Sequence, residues 1–159
     1  MTVQAGETRI IGIGNLFRRD DGAGLAVARL IAKQHPNVTV IEHSGDGLAL
    51  IEAWHGTTRV VLVDAVQSGC ASGAVQHFDA LGTPLPIGCF NGSTHGFNVA
   101  EAIELARALN RLPVHLELFG IEGRDFTTGE GLSPEVESAE NIRRPSGRQN
   151  REEYPVEHP

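Results

Sequence analysis

The sequence predicts an α/β fold with three layers: a doubly wound, mostly parallel sheet of about five strands, with helices on both faces. Short β-branched runs, too short for helices, alternate along the chain with stretches that repeat apolar residues at helical spacing. One run, VVLV at residues 60–63, is apolar at every position. Such a run is typical of a strand buried on both faces of a parallel sheet. The alternation itself indicates strand-helix-strand crossovers, which join parallel strands.

The first half of the chain supplies three strands and two helices. Residues 8–14 (TRIIGIG) and 38–41 (VTVI) are short apolar or β-branched runs and join residues 60–63 as strands. Between these strands, residues 25–31 (LAVARLI) and 48–54 (LALIEAW) carry apolar residues at helical spacing. The resulting order is strand, helix, strand, helix, strand.

The second half completes the sheet. Residues 73–78 (GAVQHF) alternate in polarity and predict an edge strand that can run antiparallel. Residues 97–109 (FNVAEAIELARAL) form the clearest amphipathic helix, and residues 113–121 (PVHLELFGI) alternate as a strand. A further helix is expected from Ser133, which can cap it, with Pro134 at the first helical position.

The length and composition fit one globular domain. The chain has 159 residues, of which 40% are hydrophobic, and we expect a single domain over residues 1–144. The remainder, residues 145–159, is polar and rich in proline and charge, so its burial cannot offset its ordering entropy and we expect a flexible tail. The two cysteines, Cys70 and Cys89, form no CxxC pair and are expected to be free thiols.

Charge and hydropathy argue against several classes of partner. The net charge is −7, which gives no overall basic field for phosphate backbones or anionic lipid. The amino terminus shows no basic segment followed by an apolar core, and no apolar run approaches the roughly 20 residues of a membrane-spanning helix. We therefore expect a cytoplasmic protein with no nucleic-acid or membrane partner. A monomer is also expected, although no feature of the sequence decides the oligomeric state.

Three connections that leave or follow predicted strands carry candidate ligands. The loop at residues 12–24 (GIGNLFRRDDGAG) contains Asp21, Asp64 comes directly after the buried strand, and His95 lies in NGSTHGF before the clearest helix. In doubly wound sheets, ligands bind outside the carboxyl ends of the strands. Each residue also has a purely structural interpretation. Asp20 or Asp21 can cap the next helix, Asp64 can begin a turn, and His95 can be a loop or capping residue.

Taken together, Asp21, Asp64 and His95 form a mixed set of oxygen and nitrogen ligands with room for further ligands. Imidazole suits zinc, nickel, copper or iron, and carboxylates accept most divalent ions, so the residue types alone do not select the metal. A nucleotide site is disfavoured in the first loop. Phe17 occupies the position of the third glycine of a dinucleotide fingerprint, and Asp20 and Asp21 would repel a pyrophosphate.

Five segments, taken in order and spacing, resemble the hydrogenase maturation proteases. They are GIGNLFRRDDGAG, VVLVDAV, STHGF before a long amphipathic helix, ELFGIEG and GLSPEVE, and together they extend from about residue 9 to about residue 137. Two segments depart from the family pattern. The loop after the second strand reads EHSGDG at residues 42–47, and the chain turns polar after Ile142, where family members usually continue a long helix.

The resemblance implies an endopeptidase that removes a short C-terminal extension from the large-subunit precursor of a nickel-iron hydrogenase after nickel insertion. By the same resemblance, Asp21, Asp64 and His95 meet the nickel, which the nickel-loaded precursor supplies and the protease does not hold tightly. That implied role makes these three residues both the metal ligands and the catalytic residues. A different class stays open: a chaperone-like module that binds the nickel-loaded precursor without cutting it.

Overall fold

The computed structural model describes residues 7–82, 85 and 99–138. Five strands form one sheet: β1 (Thr8–Ile13), β2 (Thr39–His43), β3 (Arg59–Val66), β4 (Val75–Asp79) and β5 (His115–Glu122). The strand order is β2-β1-β3-β5-β4. Strands β2, β1, β3 and β5 pair in parallel, and β4 runs antiparallel to β5 at the edge. The predicted mostly parallel sheet with an antiparallel edge strand is confirmed.

In the described part of the chain, three α-helices and one short 3₁₀ helix connect the strands, and a fourth α-helix follows the last strand. They are the 3₁₀ helix (Arg19–Gly22), α1 (Ala23–Gln34), α2 (Gly47–Trp54), α3 (Val99–Ala108) and α4 (Pro134–Glu137). The order of strands and helices agrees with the sequence prediction. Among the described residues, no helix combines the length and apolarity needed to cross a bilayer. The cytoplasmic location stays a prediction.

Two apolar clusters lie on opposite faces of the sheet. Alternate residues of β3 contribute to each, because successive side chains of a strand point to opposite faces. Val60, Leu62 and Val66 pack in the cluster that contains α2 and α3. Val63 and Ala65 pack in the other, with α1 and Val136 of α4. The helices therefore cover both faces, as the three-layer prediction required.

Strand β3 is longer than predicted. The sequence placed Asp64 just after a strand at residues 60–63, whereas β3 runs from Arg59 to Val66. Asp64, Ala65 and Val66 pair with the last residues of β5. Pairing with a long neighbour, rather than the local apolar run, sets where β3 ends.

The predicted capping of α4 is wrong in its detail. Pro134 does occupy the first turn, but the Ser133 side chain makes no capping hydrogen bond to that helix. Its hydroxyl donates instead to Asp20. The rest of the predicted helix beyond residue 138 and the tail at residues 145–159 lie outside the described residues, as do Cys89 and His95. Cys70 is an exposed free thiol, as expected.

Candidate active site at the carboxyl ends of the strands

The site is built on the central strand β3 and the two strands beside it. Strands β1, β3 and β5 are parallel neighbours, so their carboxyl ends lie at one edge of the sheet. The loop that leaves β1 contains the 3₁₀ helix and leads into α1. The segment that leaves β5 returns to contact that loop, with Gly129 bonded to Phe17 and Arg19 through backbone hydrogen bonds of 2.8 and 3.0 Å. Two segments thus meet over the end of β3.

Glycines allow the first loop to approach the strands closely. A Cβ atom at Gly24, in the first turn of α1, would collide with the carbonyl oxygens of Val63 and Ile13. Gly14 has a φ of 151°, and a Cβ atom there would collide with the carbonyl oxygen of Asp21. These contacts are with backbone atoms, which cannot rotate away. The glycines therefore fix the 3₁₀ helix against the ends of β1 and β3.

Asp64 lies at the point where β3 extends past its neighbour β1. The last paired residues of these strands are Gly12 and Val63, so Asp64 is the next residue of β3. By strand alternation its side chain points to the face that Leu62 and Val66 share with α3. The residue is only 5% exposed, and its Oδ1 accepts a hydrogen bond of 2.8 Å from the N–H of Ala65.

Asp21, in the 3₁₀ helix, brings a second buried carboxylate to this place. It is 4% exposed, and burial raises its pKa to about 6, although the charge of Arg18 and a backbone hydrogen bond from Asn15 oppose the shift. Arg18 Nη1 lies 3.9 Å from Asp21 Oδ2. Burial also raises the pKa of Asp64 well above its ordinary value, and the nearby charge of Asp21 raises it further. The charge of Asp21 therefore disfavours the ionisation of Asp64.

Asp20 has the opposite environment, although it precedes Asp21 directly. Its carboxylate is fully buried and accepts hydrogen bonds from the N–H groups of Arg124, Asp125 and Ser133 at 2.8, 2.8 and 2.6 Å, and from the Ser133 hydroxyl at 2.6 Å. Burial alone would raise the pKa of Asp20, but the bonds from Ser133, Asp125 and Arg124 together lower it. This carboxyl group is held ionised without a metal.

The capping interpretation of Asp20 and Asp21 is wrong. Helix α1 begins at Ala23 after Gly22, which has no side chain to cap it, and the 3₁₀ helix also has no side-chain cap. Asp20 accepts hydrogen bonds from a segment more than 100 positions away, and Asp21 lies close enough for its charge to act on Asp64. Neither carboxylate is used to satisfy the amides at the start of α1.

The third predicted ligand, His95, lies outside the described residues, so its position is not part of the geometry above. Within the described ranges 7–82, 85 and 99–138, no group of three or more His, Cys, Asp or Glu residues could hold a metal ion. What the structure places together is the pair of Asp21 and Asp64, because the charge of Asp21 acts on Asp64.

Other polar residues at this edge have structural tasks. Glu42 pairs with Arg29 at 2.8 Å, His43 Nδ1 accepts the N–H of Gly45 at 2.9 Å, and Asp46 caps α2. The polar side chains of the EHSGDG loop thus have partners within the loop and on helices α1 and α2. Sequence reasoning missed Glu122, a buried carboxylate at the end of β5 that accepts hydrogen bonds from the N–H groups of Ser68 and Gly69 and from the Ser68 hydroxyl. No local pattern marks it, because its partners lie more than 50 positions away.

The fold and the two buried carboxylates define the chain as a doubly wound α/β protein with an acidic site at the carboxyl ends of its central strands. Residues 26–142 match the model of the HycI family, described as hydrogenase maturation protease. Because this match covers well over half of the chain, the chain belongs to the hydrogenase maturation protease family.

Individual relatives agree with this membership. The hydrogenase expression/formation protein HupD of Bradyrhizobium diazoefficiens is 28% identical over 131 residues, which cover 80% of this chain and 68% of HupD. HupD of Thiocapsa roseopersicina is 26% identical over 134 residues, 82% of this chain and 61% of that protein. The solved NiFe hydrogenase maturation protease HybD of Thermococcus kodakarensis superimposes with a TM-score of 0.69 at 27% identity, over 87% of this chain and 95% of that chain.

Proposed function

We propose that the chain is the endopeptidase that removes the C-terminal extension of a nickel-iron hydrogenase large-subunit precursor after nickel insertion. In this proposal Asp21, Asp64 and His95 bind the nickel, which arrives as part of the substrate. Family membership supports the protease activity. The geometry at the end of β3 supports the choice of site.

One observation carries the assignment of the site. Asp21 and Asp64 are both nearly inaccessible, yet the charge of Asp21 raises the pKa of Asp64. Among the described residues, Arg18 at 3.9 Å is the cation paired with Asp21, and none pairs with Asp64. Buried carboxylates are normally paired or bound to metal. A divalent cation supplies the missing positive charge, and carboxylate oxygens are suitable ligands for it.

Helix α3 supports His95 as the third ligand. A short connection joins the carboxyl end of α3 to the start of β5, so α3 runs antiparallel to β5 and begins at the same edge of the sheet as Asp64. Its first residue, Val99, packs on the face toward which Asp64 points. The chain from Val99 back to His95 is four positions long and spans at most about 14 Å. His95 thus precedes, by four positions, a helix that packs on the face toward which Asp64 points.

The chemistry is a metal-assisted hydrolysis. The substrate's nickel supplies the Lewis acid that polarises the scissile carbonyl or a bound water. In this proposal Asp21 and Asp64 bind the ion as carboxylates, and the ion competes with protons for these groups, whose pKa values burial raises. A precursor without nickel lacks the charge that this acidic pair requires. Cleavage then reports that the metal has been inserted.

The test is to incubate the purified protein with nickel-loaded and nickel-free precursor and to follow the size of the large subunit by gel electrophoresis. We expect shortening of the loaded precursor alone, with no shortening by Asp64→Asn. Asp79→Asn is the matched control, because Asp79 ends β4 at the opposite edge of the sheet. Binding of the loaded precursor without cleavage by the wild-type protein would establish the chaperone-like module instead. If Asp64→Asn cleaves the loaded precursor as fast as the wild-type protein does, the proposed site is rejected.

A further inference from the structure

Asp20 links the two segments that flank β3. The strand order places β1 on one side of β3 and β5 on the other. Asp20 lies in the loop after β1, and its hydrogen-bond donors Arg124, Asp125 and Ser133 lie in the segment after β5. The N–H of Asp20 also donates to the carbonyl of Asp125 at 2.9 Å. Asp20 therefore joins the loop after β1 to the segment after β5, on either side of the strand that carries Asp64.

The carboxylate of Asp20 has no capacity left for a substrate. Oδ2 accepts three hydrogen bonds, from the N–H groups of Arg124 and Asp125 and from the hydroxyl of Ser133. Oδ1 accepts the N–H of Ser133. The side chain is fully buried and enclosed, and a Cβ atom added to Gly123 would lie 3.0 Å from Asp20 Cβ. A group so enclosed neither binds a metal nor transfers a proton to a substrate.

We propose that Asp20 is a positioning residue: by holding the 3₁₀ helix to the segment after β5, it places the adjacent carboxylate of Asp21 opposite Asp64. This inference rests on the proposed function of the Asp21 and Asp64 pair. Bringing two carboxylates together opposes their repulsion, so an external restraint is needed to keep them close before the cation arrives. Hydrogen bonds to an ionised carboxylate are about twice as strong as neutral ones, which suits Asp20 to that task.

The experiment compares Asp20→Asn with Glu122→Gln. Glu122 is a matched control because it is also a buried carboxylate that accepts backbone and serine hydrogen bonds, but its partners lie in the connection after β3. An amide at position 20 would direct an NH₂ group at the N–H donors. Measurements are the binding of Cd²⁺ to the precursor-free protein by calorimetry, and kcat and KM for cleavage of the nickel-loaded precursor.

For Asp20→Asn we expect the Cd²⁺ dissociation constant to rise roughly 10-fold or more, the range found when residues that orient metal ligands are replaced. We expect kcat/KM for the nickel-loaded precursor to fall by roughly 10-fold to 100-fold, because a misplaced pair loses contacts to the substrate's nickel both on binding and in the transition state. Glu122→Gln should keep the Cd²⁺ dissociation constant and kcat/KM within about twofold of wild type, even if the substitution lowers the melting temperature.

A second pair of variants keeps the proposal testable if Asp20→Asn does not fold. Ser133→Ala removes one hydrogen bond to Asp20, and Ser133→Thr retains the hydroxyl. Cd²⁺ affinity should fall in the alanine variant and return in the threonine variant. Unchanged Cd²⁺ affinity in a folded Asp20→Asn or in Ser133→Ala would overturn the proposal, as would an equal loss in Glu122→Gln. If the wild-type protein binds Cd²⁺ but does not cleave the loaded precursor, the proposed function is rejected. The positioning role of Asp20 is then still tested by the Cd²⁺ affinities of the variants.

Discussion

Replacing Asp21 by asparagine should stabilise the metal-free protein while it removes a proposed ligand. Burial raises the pKa of Asp21 from its ordinary 3.8 to about 6. Each tenfold change in proton affinity is worth about 1.36 kcal/mol, so ionising Asp21 in the folded protein costs at most about 3 kcal/mol. Solvent screening reduces this figure, and we expect a gain of about 1–3 kcal/mol for Asp21→Asn at neutral pH. Asp21→Asn also removes a negative charge that acts on Asp64, and this change likewise stabilises the folded protein.

The sign of the pH dependence follows from the direction of the shift. Below pH 3.8 the carboxyl is protonated in both the folded and the unfolded chain, so Asp21→Asn should have little effect there. Between 3.8 and about 6 the folded state binds more protons, and the stability of the wild-type protein falls as the pH rises. Above that window the penalty is complete. The difference between variant and wild type should therefore grow from pH 4 to pH 7.5.

Urea unfolding in chelator-treated buffer at pH 4, 5 and 7.5 measures this difference. Asp79→Asn is the control, since Asp79 is an exposed aspartate at the opposite edge of the sheet. The reasoning is wrong if Asp21→Asn is no more stable than wild type at pH 7.5. It is also wrong if the gain at pH 4 equals the gain at pH 7.5, because a packing effect would not follow the titration.

Three further predictions concern the proposed site and the loop that leads to it. Arg18→Gln should move the pH-dependent loss of stability to higher pH, because the charge of Arg18 lowers the pKa of Asp21; an unchanged unfolding profile would contradict this. Gly24→Ala should lower the free energy of unfolding by about 1–3 kcal/mol or more in urea titrations, because the added Cβ would lie 2.5 Å from the carbonyl oxygen of Ile13. A loss below about 0.5 kcal/mol would show that the loop can move to accommodate the methyl group. His95→Ala should abolish precursor cleavage while the melting temperature stays within about 2 °C of wild type; retained cleavage would remove His95 from the site.

The order of elements could be read from the sequence because periodicity is local. VVLV at residues 60–63 identified the central strand, and alternation of apolar and polar residues indicated β5 and, less clearly, β4. The end of β3 could not be read in this way. Its last residues are strand because β5 pairs with them as far as Glu122, and pairing is a property of two segments. That difference moved Asp64 from a predicted loop into the strand.

The site was predictable only where local sequence decides it. The position of Asp64 next to a buried run correctly indicated the carboxyl edge of the sheet. The partner of Asp20 was not predictable, because Ser133 is 113 positions away and its local pattern favoured a helix cap. Local preferences indicate only what a side chain can bind nearby in the sequence. In the folded chain, Asp20 instead accepts hydrogen bonds from the segment after β5. His95 stays a prediction.

Asp20 and Asp21 show why residue identity alone could not assign their roles. They are adjacent and chemically identical, yet the pKa of Asp20 is lowered and that of Asp21 is raised. The difference follows from their hydrogen-bond donors: four reach Asp20, while Asp21 has Arg18 at 3.9 Å and the N–H of Asn15. Groups with opposite shifts in one site commonly divide its tasks. In the proposed site, the hydrogen-bonded carboxylate of Asp20 would hold the loop in place. The buried carboxylate of Asp21, which has fewer donors, would be the one that a cation stabilises.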